Sequence, residues 1–329
     1  MSAVDIVIST YNRPDALRRC LAALARQTLR HFHVIVVDDC SDEPVEPVIR
    51  SARASGLDIT YVRTPVNGGP ARGRNLGAAH GTAPILLFLD DDVEAERGLV
   101  ERHVAAGGAG VVAIGPLAAP PDWKPSPWTA WEARTLAREY DRMLAGVYAP
   151  TWRQFFTGNA SMHRVDFKAA GGFDERFTRA EDIELGLRLA RVGCRFVFIP
   201  RAVGWHHASR TLAGWKSIPA QYARFDVTID RLYPDLGWLD LLREERRGRR
   251  AIGRWGRFAC GVLRLEAAAA ATAIVAARAW YRVGLAAPAM AGLSFAYELL
   301  YAGALRVVQD DSPDAGLPVR PLYRGLPGA

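Results

Sequence analysis

The sequence holds only four cysteines (Cys20, Cys40, Cys194 and Cys260), and no two of them form a Cys-x-x-Cys pair. That absence argues against a disulfide framework or a structural zinc site and suits a reducing cytoplasm. The chain does not open on a charged segment followed by a long apolar run. An apolar strand pattern begins almost at once, broken by Asp5, so no secretory signal is expected. In the C-terminal third, uncharged stretches cover 267–277 and 283–297, bounded by Arg278, Arg282 and Glu298. Both fall short of the ~18 residues of a membrane-spanning helix, although a helix lying on a membrane needs no such length. There is no internal repeat.

The chain has 329 residues of 50% hydrophobic composition, enough for one large domain or a domain with an appendage. The net charge of +7 suits phosphate-bearing substrates, nucleic acid or an anionic membrane surface without choosing among them. The run Arg246-Arg247-Gly248-Arg249-Arg250 is the best support for nucleic acid. A solvated helix face or anionic-lipid contact explains it equally, so no nucleic-acid partner is expected.

The N-terminal part alternates short apolar runs with helical spacing. Val4 to Ser9, His33 to Val37, Ile59 to Val62, Ile85 to Leu89 and Val111 to Ile114 read as strands. Leu17, Cys20, Leu21 and Leu24 recur at helical spacing after Pro14, and Ala71 to His80 reads as a helix with Gly81 as its C-cap. The alternation predicts an α/β fold, a mostly parallel sheet with helices on both faces. Ligands of such sheets bind outside the carboxyl ends of the strands. Ser9-Thr10-Tyr11, Asp38-Asp39 and Asp90-Asp91-Asp92 all fall at such ends and should converge on one edge. Further along, Phe155 to Met162 and Arg195 to Ile199 read as strands. Asp182 to Val192 reads as a helix with Ile183, Gly186, Leu187 and Ala190 inward.

Three consecutive carboxylates repel one another unless solvated or neutralised. Either a divalent cation with oxygen ligands or the N-terminus of a following helix would relieve them. The turn Asn67-Gly68-Gly69-Pro70-Ala71-Arg72-Gly73-Arg74-Asn75 opens a helix and carries two arginines, a setting suited to phosphate oxygens. It lacks a P-loop ending and the dinucleotide glycine spacing, and plain turn geometry explains its glycines as well. Glu181-Asp182 is read either as a helix cap or as a general base. One of His206 and His207, in Trp205-His206-His207 after a strand, would supply a nitrogen ligand to the same metal.

Taken together, these segments resemble family 2 glycosyltransferases, which have the GT-A fold. The residues that carry the resemblance are Val4 to Arg13, Val36-Val37-Asp38-Asp39-Cys40-Ser41, Asn67-Gly68-Gly69 through Gly77, and Leu87 to Asp92. Thr157-Gly158-Asn159, Gly171-Gly172-Phe173-Asp174-Glu175 and Ala180-Glu181-Asp182 continue it, so that it covers about residues 3 to 210. The resemblance implies a nucleotide-diphosphate sugar donor, UDP-linked by preference, and Mn²⁺ or Mg²⁺ on its diphosphate. Thr10, Tyr11 and Asn12 would surround the nucleoside, Asp39 would bind the base, and Arg72, Arg74 and Asn75 would lie near base or phosphate. Asp90 and Asp92 match the ends of the Asp-x-Asp motif, with Asp91 between them. Asp92 would bind the metal with His206 or His207, and Asp90 the ribose side. Asp182, with Glu181 beside it, matches the base of an inverting displacement.

The pattern also departs from its relatives. Gln221-Tyr222-Ala223-Arg224-Phe225 only faintly echoes the Gln-x-x-Arg-Trp motif of processive synthases, which favours transfer to a discrete carbohydrate, lipid-linked or small-molecule acceptor. The Trp123–Trp131 stretch suits either core packing or stacking on an acceptor. The expected organisation is a GT-A domain over 1–240, its donor half about 1–115 and acceptor half about 116–240, followed by a helical extension over 241–329. The expected location is cytoplasmic, with peripheral membrane contact through that extension left open. A sugar nucleotidyltransferase and a non-catalytic nucleotide- or carbohydrate-binding protein on the same fold are the competing readings.

Overall fold

A computed structural model describes residues 2–247 and 265–310. Cys260 and residues 248–250 of the basic run lie outside the described residues, as do residues 251–264 and 311–329 of the expected helical extension. The chain divides into two compact units: one of Met1–Lys124 with Ala133–Ala208, the other of Pro125–Glu132 with Ser209 onward.

In the first unit, β1 (Val4–Thr10), α1 (Pro14–Leu24), β2 (Phe32–Asp38), α2 (Glu46–Ala54), β3 (Ile59–Arg63), α3 (Gly69–Ala79) and β4 (Ile85–Leu89) alternate as expected. There follow β5 (Val93–Ala95), α4 (Leu99–Ala106), β6 (Val111–Ile114), β7 (Leu117–Ala118) and α5 (Pro127–Leu144). After them come β8 (Asn159–His163), α6 (Arg164–Ala169), α7 (Glu181–Arg191), β9 (Arg195–Phe198) and β10 (Gly204–His206). The seven-stranded sheet runs β3-β2-β1-β4-β8-β6-β9, parallel except where β8 pairs antiparallel with β4 and β6. A three-stranded sheet, β5-β10-β7, stands beside it in the chain order.

Strand alternation assigns the two faces of the large sheet. Val4, Ile6, Ile8, Val34, Val36, Leu87 and Leu89 pack against Leu17, Leu21, Val48 and Leu99 of α1, α2 and α4. Val7, Ile35, Val37, Leu86 and Phe88 pack on the other side against α3, α6 and α7 through Ala71, Phe167, Leu185 and Leu189. Helices therefore cover both faces, as the apolar runs predicted. The approach of α3 is unusually close. A Cβ at Gly73 would fall 2.3 Å from Ser9 Oγ, and one at Gly77 would fall 2.4 Å from Val7 Cγ1.

Some local expectations need correcting. The helix predicted to end at a Gly81 cap ends at Ala79 with His80 as its C-cap; at Gly81 a Cβ would meet the buried Asp5 carboxylate. Phe155–Met162 is a strand only from Asn159 onward. In α7 the buried apolar residues are Leu185, Leu187 and Leu189, while Ile183 and Ala190 are only half-buried. The misreading arose because Glu184 and Arg188 occupy buried positions as an i,i+4 ion pair, which an apolar-face reading excludes. Trp205 and His206 follow the strand β9, as expected, and themselves form a further short strand, β10.

The second unit contains α8 (Leu212–Leu232), α9 (Trp238–Arg247), α10 (Glu266–Arg282) and α11 (Ala286–Asp310). Trp215 and Ile218 pack with Ala270, Ile274, Ala277, Leu293 and Leu299. Asp226 accepts hydrogen bonds from Trp238 Nε1 and the Tyr301 hydroxyl. This packing places α8 and the 125–132 segment in the helical unit. Trp131 packs against Trp215 and Tyr297, and its indole donates to Ser294 Oγ. Trp128 donates to the Arg210 carbonyl. No helix among the described residues is long and apolar enough to cross a membrane.

Candidate active site

β1, β2 and β4 run parallel, so Thr10, Asp38-Asp39 and Asp90 reach the same edge of the sheet. Their side chains then take distinct partners. Thr10 Oγ1 donates to Asp91 Oδ2 at 2.6 Å, tying the end of β1 to the carboxylate triplet. Asn12 fastens the first loop to the second: its amide donates to Asp42, and its Oδ1 accepts from the Asp42 backbone. Tyr11 stands exposed beside them.

Asp39 lies buried with its carboxylate committed to the glycine turn. It accepts from the backbone N–H of Gly68 at 3.0 Å and of Gly69 at 2.7 Å, and from Thr64 Oγ1 at 3.0 Å. The residue expected to read a nucleotide base therefore also holds the loop that carries the two arginines. Arg72 is half-buried and folds back over Gly68, where a Cβ would fall 2.3 Å from its Cδ. Asn75 is engaged with the Gly-Gly-Phe-Asp turn, donating to the Phe173 carbonyl at 2.9 Å and accepting from the Phe173 N–H at 2.8 Å.

Arg74 connects the two halves of the site. Its Nη2 lies 2.8 Å from Asp90 Oδ1 and its Nη1 lies 2.7 Å from Glu181 Oε1. Burial works against its charge, but Asp90 and Glu181 outweigh burial and hold the guanidinium above its usual pKa. One cation thus gathers the end of β4 and the start of α7. Asp182, the next residue, accepts from the Ile183 N–H at 2.8 Å. Burial, and then the neighbouring Glu181 charge, push its carboxyl up to about 7 despite the opposing pull of Arg74.

Asp91 and Asp92 face Arg13, whose Nη1 lies 3.4 Å from Asp91 Oδ1 and 3.1 Å from Asp92 Oδ2. Burial and the charge of Asp92 raise Asp91 to about 6, against Arg13 and the Thr10 hydroxyl. Burial would raise Asp92 too, but its hydrogen bond and charge attraction to His206, with Arg13, hold it below the ordinary value.

The two histidines separate by strand alternation. His206 Nε2 lies 3.4 Å from Asp92 Oδ1, whereas His207 Nε2 lies 3.3 Å from Glu94 Oε2. Asp92 and His206 therefore form a donor pair of one carboxylate oxygen and one imidazole nitrogen. Asp90 is turned away toward Arg74. Among the described residues no group of three or more His, Cys, Asp or Glu side chains gathers to hold a metal ion. A pair fits a cation whose remaining positions are filled by phosphate oxygens and water, the usual manner of Mg²⁺ at nucleotides.

Sequence reading assigned no role to Arg13, although it directly follows the first strand-end cluster. Glu94 was missed as well, and its only signal is its place two residues after Asp92. Beneath the site, Asn159 of the Thr-Gly-Asn segment donates to the carbonyls of Pro116 and Ala202. His103, held neutral by burial with its pKa lowered to about 4, bridges Asn159 and Ser161.

The chain resembles known proteins in sequence and in fold. The family model described as Glycosyl transferase family 2 matches residues 5–169, and that described as Glycosyl transferase family group 2 matches 97–307. A validoxylamine A glucosyltransferase of Streptomyces hygroscopicus subsp. jinggangensis is 32% identical over 271 residues, 71% of this chain and 63% of that protein. A pre-mycofactocin glycosyltransferase of Mycobacterium tuberculosis is 30% identical over 234 residues, 70% of this chain and 48% of its own length. The chain thus spans less than two thirds of the length of these relatives. A mannosyltransferase from Pyrobaculum calidifontis, solved with GDP-Man and Mn²⁺, superposes with a TM-score of 0.61 at 18% identity, covering 94% of this chain and 88% of that one. Its likeness supports the GT-A fold. With two family models that together span residues 5–307 and a relative 32% identical over 71% of its length, the chain belongs to glycosyltransferase family 2.

Proposed function

We propose that this chain moves a sugar from a nucleotide-diphosphate donor, UDP-linked by preference, to a hydroxyl of a discrete acceptor, with inversion and with Asp182 as general base. The observation that carries this reading is the Arg74 bridge, which draws the β4 carboxylate Asp90 and the helix bearing Asp182 to one guanidinium. The acceptor oxygen attacks the anomeric carbon from the face opposite the diphosphate. The bond from that carbon to the diphosphate oxygen breaks, its electron pair leaves with the nucleoside diphosphate, and the acceptor proton passes to Asp182. A single displacement inverts the anomeric centre. A carboxyl titrating at about 7 is well matched to general-base work near neutrality.

Asp92 and His206 would hold the divalent cation, Mn²⁺ or Mg²⁺. Such a cation neutralises charge building on a leaving diphosphate. Thr10 orients Asp91, and Arg13 keeps the remaining carboxylates compensated. The competing readings fit less well. A nucleotidyltransferase needs a triphosphate loop straight after β1, where Asn12 is instead tied to Asp42. A purely binding protein has no use for a carboxyl held ready at neutrality.

The test is calorimetric titration of UDP, GDP and dTDP with and without Mn²⁺. One nucleotide should bind in a metal-dependent way, and Asp92→Ala should lose that dependence. Absence of binding by every nucleotide overturns the reading.

Peripheral membrane contact belongs to the same proposal. At the turn between α10 and α11, Val283 is 70% exposed and Leu285 51%, next to Trp280 and the exposed Arg282. Apolar side chains and an indole beside an arginine suit the boundary of an anionic bilayer.

A further inference from the structure

The three-stranded sheet has two functional faces, and only one belongs to the donor site. Strand alternation sends His206 toward Asp92, so Trp205 and His207 point to the opposite side. Glu94 pairs with Trp205 across the strands and meets His207 on that side. There they line a cleft of about 610 Å³ with Pro120, Pro121, Asp122, Trp123 and Lys124. That volume lies in the range of small-molecule sites, which are commonly ~300–1,000 Å³. Neither Asp182 nor Glu181 lines it.

The lining has a definite chemistry. Trp128 and Trp131 have packed indoles with bonded N–H groups, but Trp123 is half-buried at the cleft wall, as is Trp205. Two indoles and two prolines offer flat apolar surface to the C–H face of a ring. Glu94 and His207, 3.3 Å apart, offer a carboxylate and an imidazole to neighbouring hydroxyls. Glu94 and Asp122 balance Lys124 and the Arg26 that pairs with Glu94 at 3.2 Å, so the cleft has no excess positive charge to favour a diphosphate.

We propose that this cleft is a subsite for an uncharged pyranose ring of the acceptor, a ring other than the one that reacts. The assignment of the ring to an acceptor rests on the transfer reading above; the recognition of a sugar rests on the cleft alone. It makes the acceptor a glycoside of at least two rings, with His207 serving the second ring while His206 serves the cation. The backbone joins the two tasks, because the His207 N–H donates to the Asp92 carbonyl at 2.9 Å.

The test is saturation-transfer NMR on the full chain with methyl glucoside, methyl galactoside, methyl mannoside, maltose and cellobiose as probes. At least one should bind, with the strongest transfer at its ring C–H protons. Trp123→Ala, on the loop after β7 and outside every strand, should weaken binding about tenfold. Glu94→Gln should weaken it through the hydroxyls. Metal-dependent nucleotide binding should persist in the Trp123 variant, which also shows that it is folded. Absence of binding by every probe, or binding unchanged in Trp123→Ala, overturns the subsite. Loss of nucleotide binding by the unaltered protein instead overturns the transfer reading and leaves the sugar test standing.

Discussion

Asp182→Asn should remove activity and stabilise the protein, and the stabilisation should depend on pH. A carboxyl raised from an ordinary value near 4 to about 7 carries roughly 4 kcal/mol against its ionised form, at about 1.4 kcal/mol per pH unit. Asp182 is only half-buried, so solvent screening reduces the realised figure to about 1–2 kcal/mol. The raised value fixes the sign. Folding favours the protonated form, so the contribution to stability is full below about pH 4 and is lost as pH rises through about 7. Asparagine keeps an oxygen for the Ile183 N–H and has no charge to bury. The variant should match the unaltered protein near pH 4 and pull ahead by pH 8. For a unit of this size the gain in Tm is about 2–4 °C per kcal/mol. Turnover, read as release of nucleoside diphosphate, should fall by about 10²–10⁴. A Tm difference that stays flat from pH 4 to 8, or near-normal turnover, would refute the reasoning.

Arg74→Ala leaves Glu181 buried and Asp90 unpaired, and should cost about 3–5 kcal/mol in denaturant unfolding. Arg74→Lys should recover only part of this, since an ammonium lacks the planar fork that spans two carboxylates. His206→Ala should weaken Mn²⁺-dependent nucleotide binding at least tenfold, whereas His207→Ala should leave it near normal; equal losses would dissolve the distinction drawn between them. Replacing Trp280 and Val283 together by Ser should reduce sedimentation with phosphatidylserine-containing vesicles, and undiminished sedimentation would rule out this turn as the contact.

The gathering of the polar strand ends at one edge was legible in the sequence because it follows from periodicity. Apolar runs ending in polar clusters must place those clusters at strand ends, and parallel strands bring the ends together. The partners of each side chain were not legible. Asp39, Arg74 and Asn75 all sit where the motif places them, yet Asp39 holds the Gly68–Gly69 turn, Asn75 holds Phe173, and Arg74 joins Asp90 to Glu181. Position along a strand or helix fixes where a side chain starts, while its rotamer answers to residues from 16 to 107 positions away. Strands of two or three residues, such as β5, β7 and β10, are too short to show a period, so the small sheet and its second face had no signature. The helical unit's claim on 125–132 depends on Trp131 meeting Trp215, a contact between distant segments.

The glycines of α3 set a length standard for the site. With no side chain at 73 or 77, the helix rests as near β1 and β2 as backbone permits, and Arg74 projects from that fixed baseline. Its guanidinium reaches Asp90 with one Nη and Glu181 with the other. A single methyl added at Gly77 would lift the baseline and leave the arginine short or misaimed, with every charged group still present. The site can therefore be disabled by a change that touches no polar atom, through the spacing between a helix and a sheet.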